Sequence, residues 1–403
     1  MNILIIHAHT SNRGDEAAVK SMVDELLLKY PRANITISLT GITPYPNLPS
    51  QVMLIDRFPK VRARLEQFEF FIAIFTKGNF VFTKSGKEFL NAVENADLVI
   101  HAPGGPSIGD IYYKVEILYL LCLDFIRKKG KRYMFYAPSM GPFKITKRNN
   151  LRKKILLGAQ KIIVRDPISL QYIKELIPDI NVIQTLDSAL QHDIDIVTNK
   201  NKYLQYHGLR NFVESHNMCI GITITDLQWH PLYKNKAIVK NIPIIFNEFI
   251  ESKIKEGYGI IFIPQLYGAG NDTIVMKTYM KEKHTFMVDA FLDEYDAYFQ
   301  QYLISILHAV VGMRYHSNIF SAKMGTPFIS ISYEQKMKGF MQSINMEDYC
   351  IELDDISLQL LDEKYMVLES NYEDYKRTLN NLHPKMKEDA YKSTQAVIDI
   401  LEN

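Results

Sequence analysis

A fixed cation and a proton carrier stand two residues apart in this 403-residue chain: Arg314 and His316, within VVGMRYHSNIFSAKMGTPFISISYEQKMKGF at 310–340. The apolar run 307–313 predicts a buried strand. Ser317 is placed to cap the helix that follows, and Gly325-Thr326-Pro327 should stop it before a second strand at 328–332. In parallel α/β sheets ligands collect at the carboxyl ends of strands, and a helix start there adds backbone N–H groups and a partial positive charge. A phosphate or a carboxylate suits such a place. The competing reading is structural, with Arg314 in an ion pair and His316 packed or capping.

Other strand-to-helix joints also carry reactive residue types. Asn12-Arg13-Gly14-Asp15-Glu16 follows the first apolar run, where Gly14 would let the backbone turn tightly and a carboxylate would cap the helix. This is not a GxGxxG loop. Its negative charge suits sugar hydroxyls, or uptake of a proton, better than a phosphate; a simple helix cap is the alternative. His101-Ala102-Pro103-Gly104-Gly105-Pro106-Ser107 and Tyr136-Ala137-Pro138-Ser139-Met140-Gly141-Pro142 end two further runs, and Gly104 with Gly105 permits close approach of a ligand or of a facing domain. Val164-Arg165-Asp166 supplies a second strand-end cation, unless Arg165 merely pairs with Asp166 at the surface. Trp229, the only tryptophan, could stack on a sugar face or pack in a core. His7, His9 and His101 also fall at strand ends but lack the i, i+4 or CxxC spacing of a metal site, so no metal is expected.

These residues need strands whose carboxyl ends lie together. Strand-like segments at 3–7, 34–39, 98–102, 132–137, 161–164 and 181–184 alternate with helical stretches at 16–30, 86–95, 113–128 and 168–176. Residues 196–217 turn polar and lose the rhythm, which reads as an inter-domain crossing. A second series follows, with strands at 218–225, 259–264, 285–288, 307–313 and 328–332 and helices at 242–256, 273–281 and 295–309. The expected fold class is α/β, with two Rossmann-like, doubly wound domains facing a cleft, 1–195 on the acceptor side and 218–375 on the donor side. In 376–403 a helix over 384–401 carries Met386, Ala390, Val397 and Leu401 on one stripe, which would pack back on the first domain.

Composition narrows the classes. With 47% hydrophobic and 23% charged residues the chain is globular, and a net charge of +2 offers no field for nucleic acid. Cys122, Cys219 and Cys350 are too scattered for a zinc or redox pair, so free thiols in a reducing compartment are expected. The amino terminus enters a strand without a basic leader, and no apolar run approaches the ~20 residues that span a bilayer, so the expected location is cytoplasmic. Basic residues cluster at Arg127, Lys128, Lys129, Lys131 and Arg132 and again at Lys144, Lys147, Arg148, Arg152, Lys153 and Lys154. They form either a solvated helix face or a patch for an anionic membrane surface, which would make the protein peripheral on the inner face of the plasma membrane.

Taken in order, the motifs resemble those of the polysaccharide pyruvyl transferase family: N-x-G-D-E at 12–16, the glycine pair 104 and 105, P-S-M-G-P at 138–142, V-R-D at 164–166, Asp187-Ser188-Ala189, I-P-Q at 263–265 with Asp272 after it, R-x-H at 314–316, G-x-P at 325–327 and Y-x-x-K-x-x-G at 333–339. The resemblance implies a glycosyltransferase-B-like fold and transfer of the pyruvyl group of phosphoenolpyruvate onto two hydroxyls of a hexose, as a ketal, with release of phosphate. It implies that Arg314 and Arg165, with Lys336 and Ser317, hold the donor's anionic groups. His316 would carry the proton, and Asp15 or Glu16, from the opposite domain, would orient or deprotonate the acceptor hydroxyl. Asn12, Gly104, Gly105 and Trp229 would line the acceptor side. The implied partners are phosphoenolpyruvate, with no further cofactor, and a hexose-containing saccharide that could be lipid-diphosphate-linked; a homo-oligomer is compatible. One departure is Asp226, where the family often has Arg soon after the strand, and it leaves open how the acceptor is held. Two other functions stay in view: a glycosyltransferase with a nucleotide-sugar donor, in which Arg314 and Lys336 hold the diphosphate, and a non-catalytic saccharide-binding protein.

Overall fold

A computed structural model of the chain describes residues 1–9, 11–40, 48–267, 271–289 and 292–403. It divides into two compact units. Met1–Thr10, Ala18–Gln191 and Asp389–Asn403 make the first, and Ser11–Ala17 with His192–Glu388 make the second.

The first unit contains β1 (Asn2–His9), β2 (Asn34–Thr40), β3 (Val52–Asp56), β4 (Leu98–His101), β5 (Gly104–Ile108), β6 (Tyr133–Phe135), β7 (Pro138–Met140), β8 (Ile163–Val164) and β9 (Ile183–Gln184). Its main sheet has the order β3-β2-β1-β4-β6. Alternation along β1 explains why it lies at the centre. Ile3 and Ile5 join one core, with Leu98, Ile100 and Met134, whereas Leu4 and Ile6 join another, with Val99 and Phe135. Both faces are therefore covered, as a parallel sheet requires. Ala396, Val397 and Ile400 from the carboxyl terminus belong to the core of Ile3 and Ile5.

The second unit contains β10 (Cys219–Thr223), β11 (Gly259–Phe262), β12 (Thr285–Met287), β13 (Ala309–Gly312), β14 (Phe328–Ser332) and β15 (Cys350–Glu352). Their order is β12-β11-β10-β13-β14-β15. All pairings between these strands are parallel. Strands β10, β11, β13 and β14 are buried along their whole length, which is why they read as continuous apolar runs. The chain lays down β10 and β11 in one direction and returns to add β13 and β14 on the other side of β10. The order thus reverses between β10 and β13, where doubly wound sheets bind ligands.

Three boundaries differ from the sequence expectation. Residues 196–217 are not a bare crossing; they form helices Ile196–Gln205 and His207–Glu214 within the second unit, the first capped by Asp195 through the Thr198 N–H at 3.0 Å. They read as loop because few of their residues are buried, Asn199 and Leu209 among them. The last helix runs over Tyr372–Glu402 with Pro384 inside it rather than at its start. The segment Ser11–Ala17 belongs to the second unit, although the sequence placed it in the first domain.

Candidate functional site

The reversal between β10 and β13 gathers the R-x-H motif and its neighbours. Arg314 leaves β13 in an extended conformation and precedes helix Tyr315–Met324. Its backbone N–H donates to the Thr223 hydroxyl at 3.2 Å, which ties it to the end of β10. Ser317 does not cap this helix from outside. It is the third helical residue, donates its hydroxyl to the Arg314 carbonyl at 2.6 Å, and lies 2.9 Å from the Thr223 hydroxyl. It is fully buried and locks the joint.

The Arg314 side chain is oriented by Asp272, which receives its Nε at 3.1 Å and also pairs with Nη2. Asp272 is fixed in turn by the backbone N–H groups of Gln265 and Leu266, at 3.1 and 2.9 Å. Nη2 also donates to Thr225 at 2.9 Å, and Nη1 lies 3.5 Å from the Tyr333 hydroxyl. Burial works against the charge on Arg314, but the Asp272 carboxylate outweighs it and holds the guanidinium pKa above its ordinary value. Trp229 is 40% exposed, and its ring centre is 5.8 Å from the guanidinium carbon. The indole thus accompanies the Arg314 guanidinium; it is not a core residue, and it lies on a different unit from the glycine pair with which it was grouped.

Beside this pair, Lys336 contacts Glu334 at 2.6 Å, and Glu334 is also 2.8 Å from His230 Nε2. Burial alone would raise the Glu334 pKa; Lys336 foremost, then His230, bring it down to about 2.

His316 is the second residue of the helix and is 5% exposed. Gly14 lies directly against it: a Cβ there would stand 2.0 Å from the imidazole Nδ1. The glycine of N-x-G-D-E is therefore needed for close approach to the imidazole rather than for the tight turn the sequence suggested. Asn12 caps the first helix, Arg13–Lys29, through the Gly14 N–H at 2.8 Å, a role expected of a carboxylate. Glu16 is enclosed: it accepts from Arg13 at 2.7 Å, from the Tyr267 hydroxyl at 3.2 Å and from the Ala297 N–H at 3.2 Å. Burial pushes its pKa up despite Arg13. Glu16 is fully buried, whereas Asp15 is half-buried in the same first turn. Both belong to the unit of His316, not to an opposite domain.

Arg165 sits in the first unit and is 1% exposed. It pairs with Asp187 at 2.5 Å, not with Asp166, and its Nε donates to Ser139 at 3.0 Å. Ser139 donates to Asp166 at 2.8 Å, and Asp166 caps helix Pro167–Leu176 through the Ser169 N–H. Three motifs thus close into one buried network around Arg165. Gly104 and Gly105 open β5, where Gly104 takes φ +151°, a conformation other residues avoid.

At the ends of β1 and β4 stand His7 and His101, with ring centres 4.8 Å apart, and Tyr119 lies 4.3 Å from His7. Burial, above all, drives the His7 pKa well down and that of His101 to about 4. Among the described residues no group of three or more His, Cys, Asp or Glu side chains could hold a metal ion. Most of the basic run is committed internally: Arg127, Lys128 and Lys154 pair with Asp124, Lys129 with Glu94, and Arg148 and Arg152 with Glu116. No helix among the described residues is long and apolar enough to cross a membrane.

Sequence reasoning singled out Arg314, His316, Lys336 and Trp229, which the structure places in one unit, but gave no role to Thr225, Tyr333, Glu334 or His230, and quoted Asp272 without its function. Its signal was the lone carboxylate after I-P-Q, where a strand-end arginine needs a counter-ion.

The comparisons agree with this architecture. A solved UDP-GlcNAc 2-epimerase from Neisseria meningitidis, bound to UDP-GlcNAc, superposes with a TM-score of 0.57 at 11% identity, covering 99% of this chain and 100% of that one. MnaA of S. aureus with UDP gives 0.60 at 9%, covering 98% and 94%. A ugt transferase from Siraitia grosvenorii in complex with UDP gives 0.59 at 8%, covering all of both chains. These likenesses show the fold, α/β with two Rossmann-like domains of the glycosyltransferase-B kind. The amylovoran biosynthesis protein AmsJ of Erwinia amylovora is 24% identical, with 93% of each chain covered. The sequence pattern described as polysaccharide pyruvyl transferase matches residues 12–335, from the Asn12 cap to the helix after Tyr333, and the chain belongs to that family.

Proposed function

We propose that this chain transfers the pyruvyl group of phosphoenolpyruvate onto two hydroxyls of a hexose in a polysaccharide or its lipid-linked precursor, forming a ketal and releasing phosphate. The observation that carries the reading is Arg314, held by Asp272 at the start of the helix whose second residue is His316. The donor has a carboxylate and a phosphate. Asp272 and Thr225 take the Nε and Nη2 side of the guanidinium, while among the described residues Nη1 has only the Tyr333 hydroxyl at 3.5 Å and retains capacity for an oxyanion. Lys336 adds charge, and the helix start adds its partial dipole.

His316 delivers a proton to the methylene carbon, which becomes a methyl group and leaves C2 cationic. One hydroxyl oxygen bonds to C2, the C2–O bond to phosphate breaks with its electron pair, and the second hydroxyl closes the ketal. Of the two hydroxyl protons lost, one replaces the proton given by His316 and the other leaves with phosphate. Asp15 serves as the carboxylate near the imidazole that orients the attacking hydroxyl. A polysaccharide acceptor is supported by the family and by the relative's part in amylovoran biosynthesis.

The test is phosphate release from phosphoenolpyruvate with a panel of galactosides, glucosides and N-acetylmannosaminides, alongside thermal shift. Phosphoenolpyruvate at 100 times its Kd should add about 2.7 kcal/mol of stability. Stabilisation by a nucleotide sugar instead would point to glycosyl transfer. Saccharide binding without turnover of any donor would point to a binding protein.

A further inference from the structure

The first unit carries an apolar face that its own fold does not use. Helix Arg64–Phe75 is seated through Phe70, whose ring centre lies 5.7 Å from that of Phe58 and 6.0 Å from that of Phe125. Its opposite side presents Leu65, Phe68, Phe71 and Phe75 at helical spacing, all exposed, with Phe75 at 85%. Phe80 and Phe82 extend the exposed surface beyond the helix. This second stripe is firmly mounted. Buried Glu69 accepts from the Thr83 N–H at 2.7 Å and the Thr83 hydroxyl at 2.5 Å, and also receives the Phe82 N–H, which ties the following segment to the helix. So many outward aromatic rings on one rigid element mark an interaction surface.

The charges around it indicate the occupant. Arg62, Arg64, Lys77 and Lys87 are exposed and form no ion pair among the described residues. Arg62 and Arg64 stand at the start of the helix, where the dipole disfavours cations, so they are not there to stabilise it. A second copy would bring these cations against their own counterparts if the face paired with itself. An apolar stripe fringed by unpaired cations matches a bilayer interface with anionic headgroups.

We propose that this face seats the protein on an anionic lipid surface, with Leu65, Phe68, Phe71 and Phe75 at the acyl boundary and Arg62, Arg64, Lys77 and Lys87 on headgroup phosphates. The proposal is independent of the donor chemistry. It is tested with the full chain by flotation with vesicles of phosphatidylcholine alone or mixed with phosphatidylglycerol. The protein should float with the mixed vesicles at low salt and much less at about 0.5 M salt, where charges are screened. Phe68→Ser with Phe75→Ser should cut binding by more than about tenfold with the melting midpoint unchanged. Arg62→Ser with Lys77→Ser, which leaves the apolar face intact, should cost about fivefold per charge. Lys147→Ser with Lys153→Ser should change nothing. Wild type that stays unbound, or binding indifferent to both the phenylalanine and the cation pairs, overturns the proposal. So does a wild-type dimer in sedimentation that the phenylalanine pair makes monomeric, because a second copy would then cover the face.

Discussion

Arg165 and Arg314 make an instructive pair. Each follows a parallel strand, each is clamped by a buried aspartate, and each stood out in the sequence as a strand-end cation. Around Arg165 the neighbours Ser139, Asp166, Ser169 and Asp187 are fully buried and bonded to one another. Around Arg314 stand a 40% exposed indole, a tyrosine hydroxyl at the limit of hydrogen bonding, a lysine and, two residues on, an imidazole. An aspartate clamp therefore does not by itself mark the proposed ligand site. The distinction lies in whether the remaining donors and faces are closed.

The strongest test of this contrast is catalytic. His316→Ala should lower kcat by about 10²–10⁴-fold while the phosphoenolpyruvate-induced thermal shift persists. Arg314→Lys should abolish that shift, and Arg165→Lys should lower the melting midpoint but keep it. A shift lost in Arg165→Lys and kept in Arg314→Lys would invert the comparison. Next in size, Asp272→Ala and Asp187→Ala should each destabilise by about 3–5 kcal/mol in denaturant titrations, since each strands a buried guanidinium. Of the two, only Asp272→Ala should also raise the phosphoenolpyruvate Kd.

Acid should separate the units by pH window. His101 is depressed to about 4 from 6.5, so the unfolded chain takes up that proton first, and stability present above about pH 6.5 is lost as pH falls toward 4. Glu334 is depressed to about 2 from 4.5, so its contribution, present above about pH 4.5, is lost as pH falls toward 2. Each loss is on the order of 3 kcal/mol. His101→Gln should reduce the upper part of the acid titration of unfolding free energy, to which buried His7 also contributes, and Glu334→Gln should remove the lower. Smaller again, Gly14→Ala should cost about 1–3 kcal/mol by overpacking and reduce kcat by displacing the imidazole. Least, Trp229→Ala should weaken donor binding by about 0.5–1 kcal/mol, read as a several-fold rise in KM.

The sequence made the strand ends legible because buried parallel strands appear as short apolar runs and the chemistry follows them directly; the strand 328–332 was read to its last residue. Partners were not legible. Asp272 is 42 positions from Arg314, and Asp187 is 22 from Arg165, while the adjacent Asp166 looked the obvious mate yet caps a helix. Local pattern also could not show that Glu16 and Ser317, whose types suit ligands, are fully buried, because burial is decided by what packs over them. Helices Ile196–Gln205 and His207–Glu214 escaped notice since so few of their side chains face a core.

The turn Ser11–Ala17 is made long before its partners. Glu16 meets Tyr267 across 251 positions and Ala297 across 281. Residues 18–316 must therefore be synthesised before the imidazole of His316 can acquire its glycine wall. No contiguous fragment beginning at residue 192 holds that wall, so an isolated carboxyl-terminal half should recover it only when a peptide spanning 11–17 is supplied in trans.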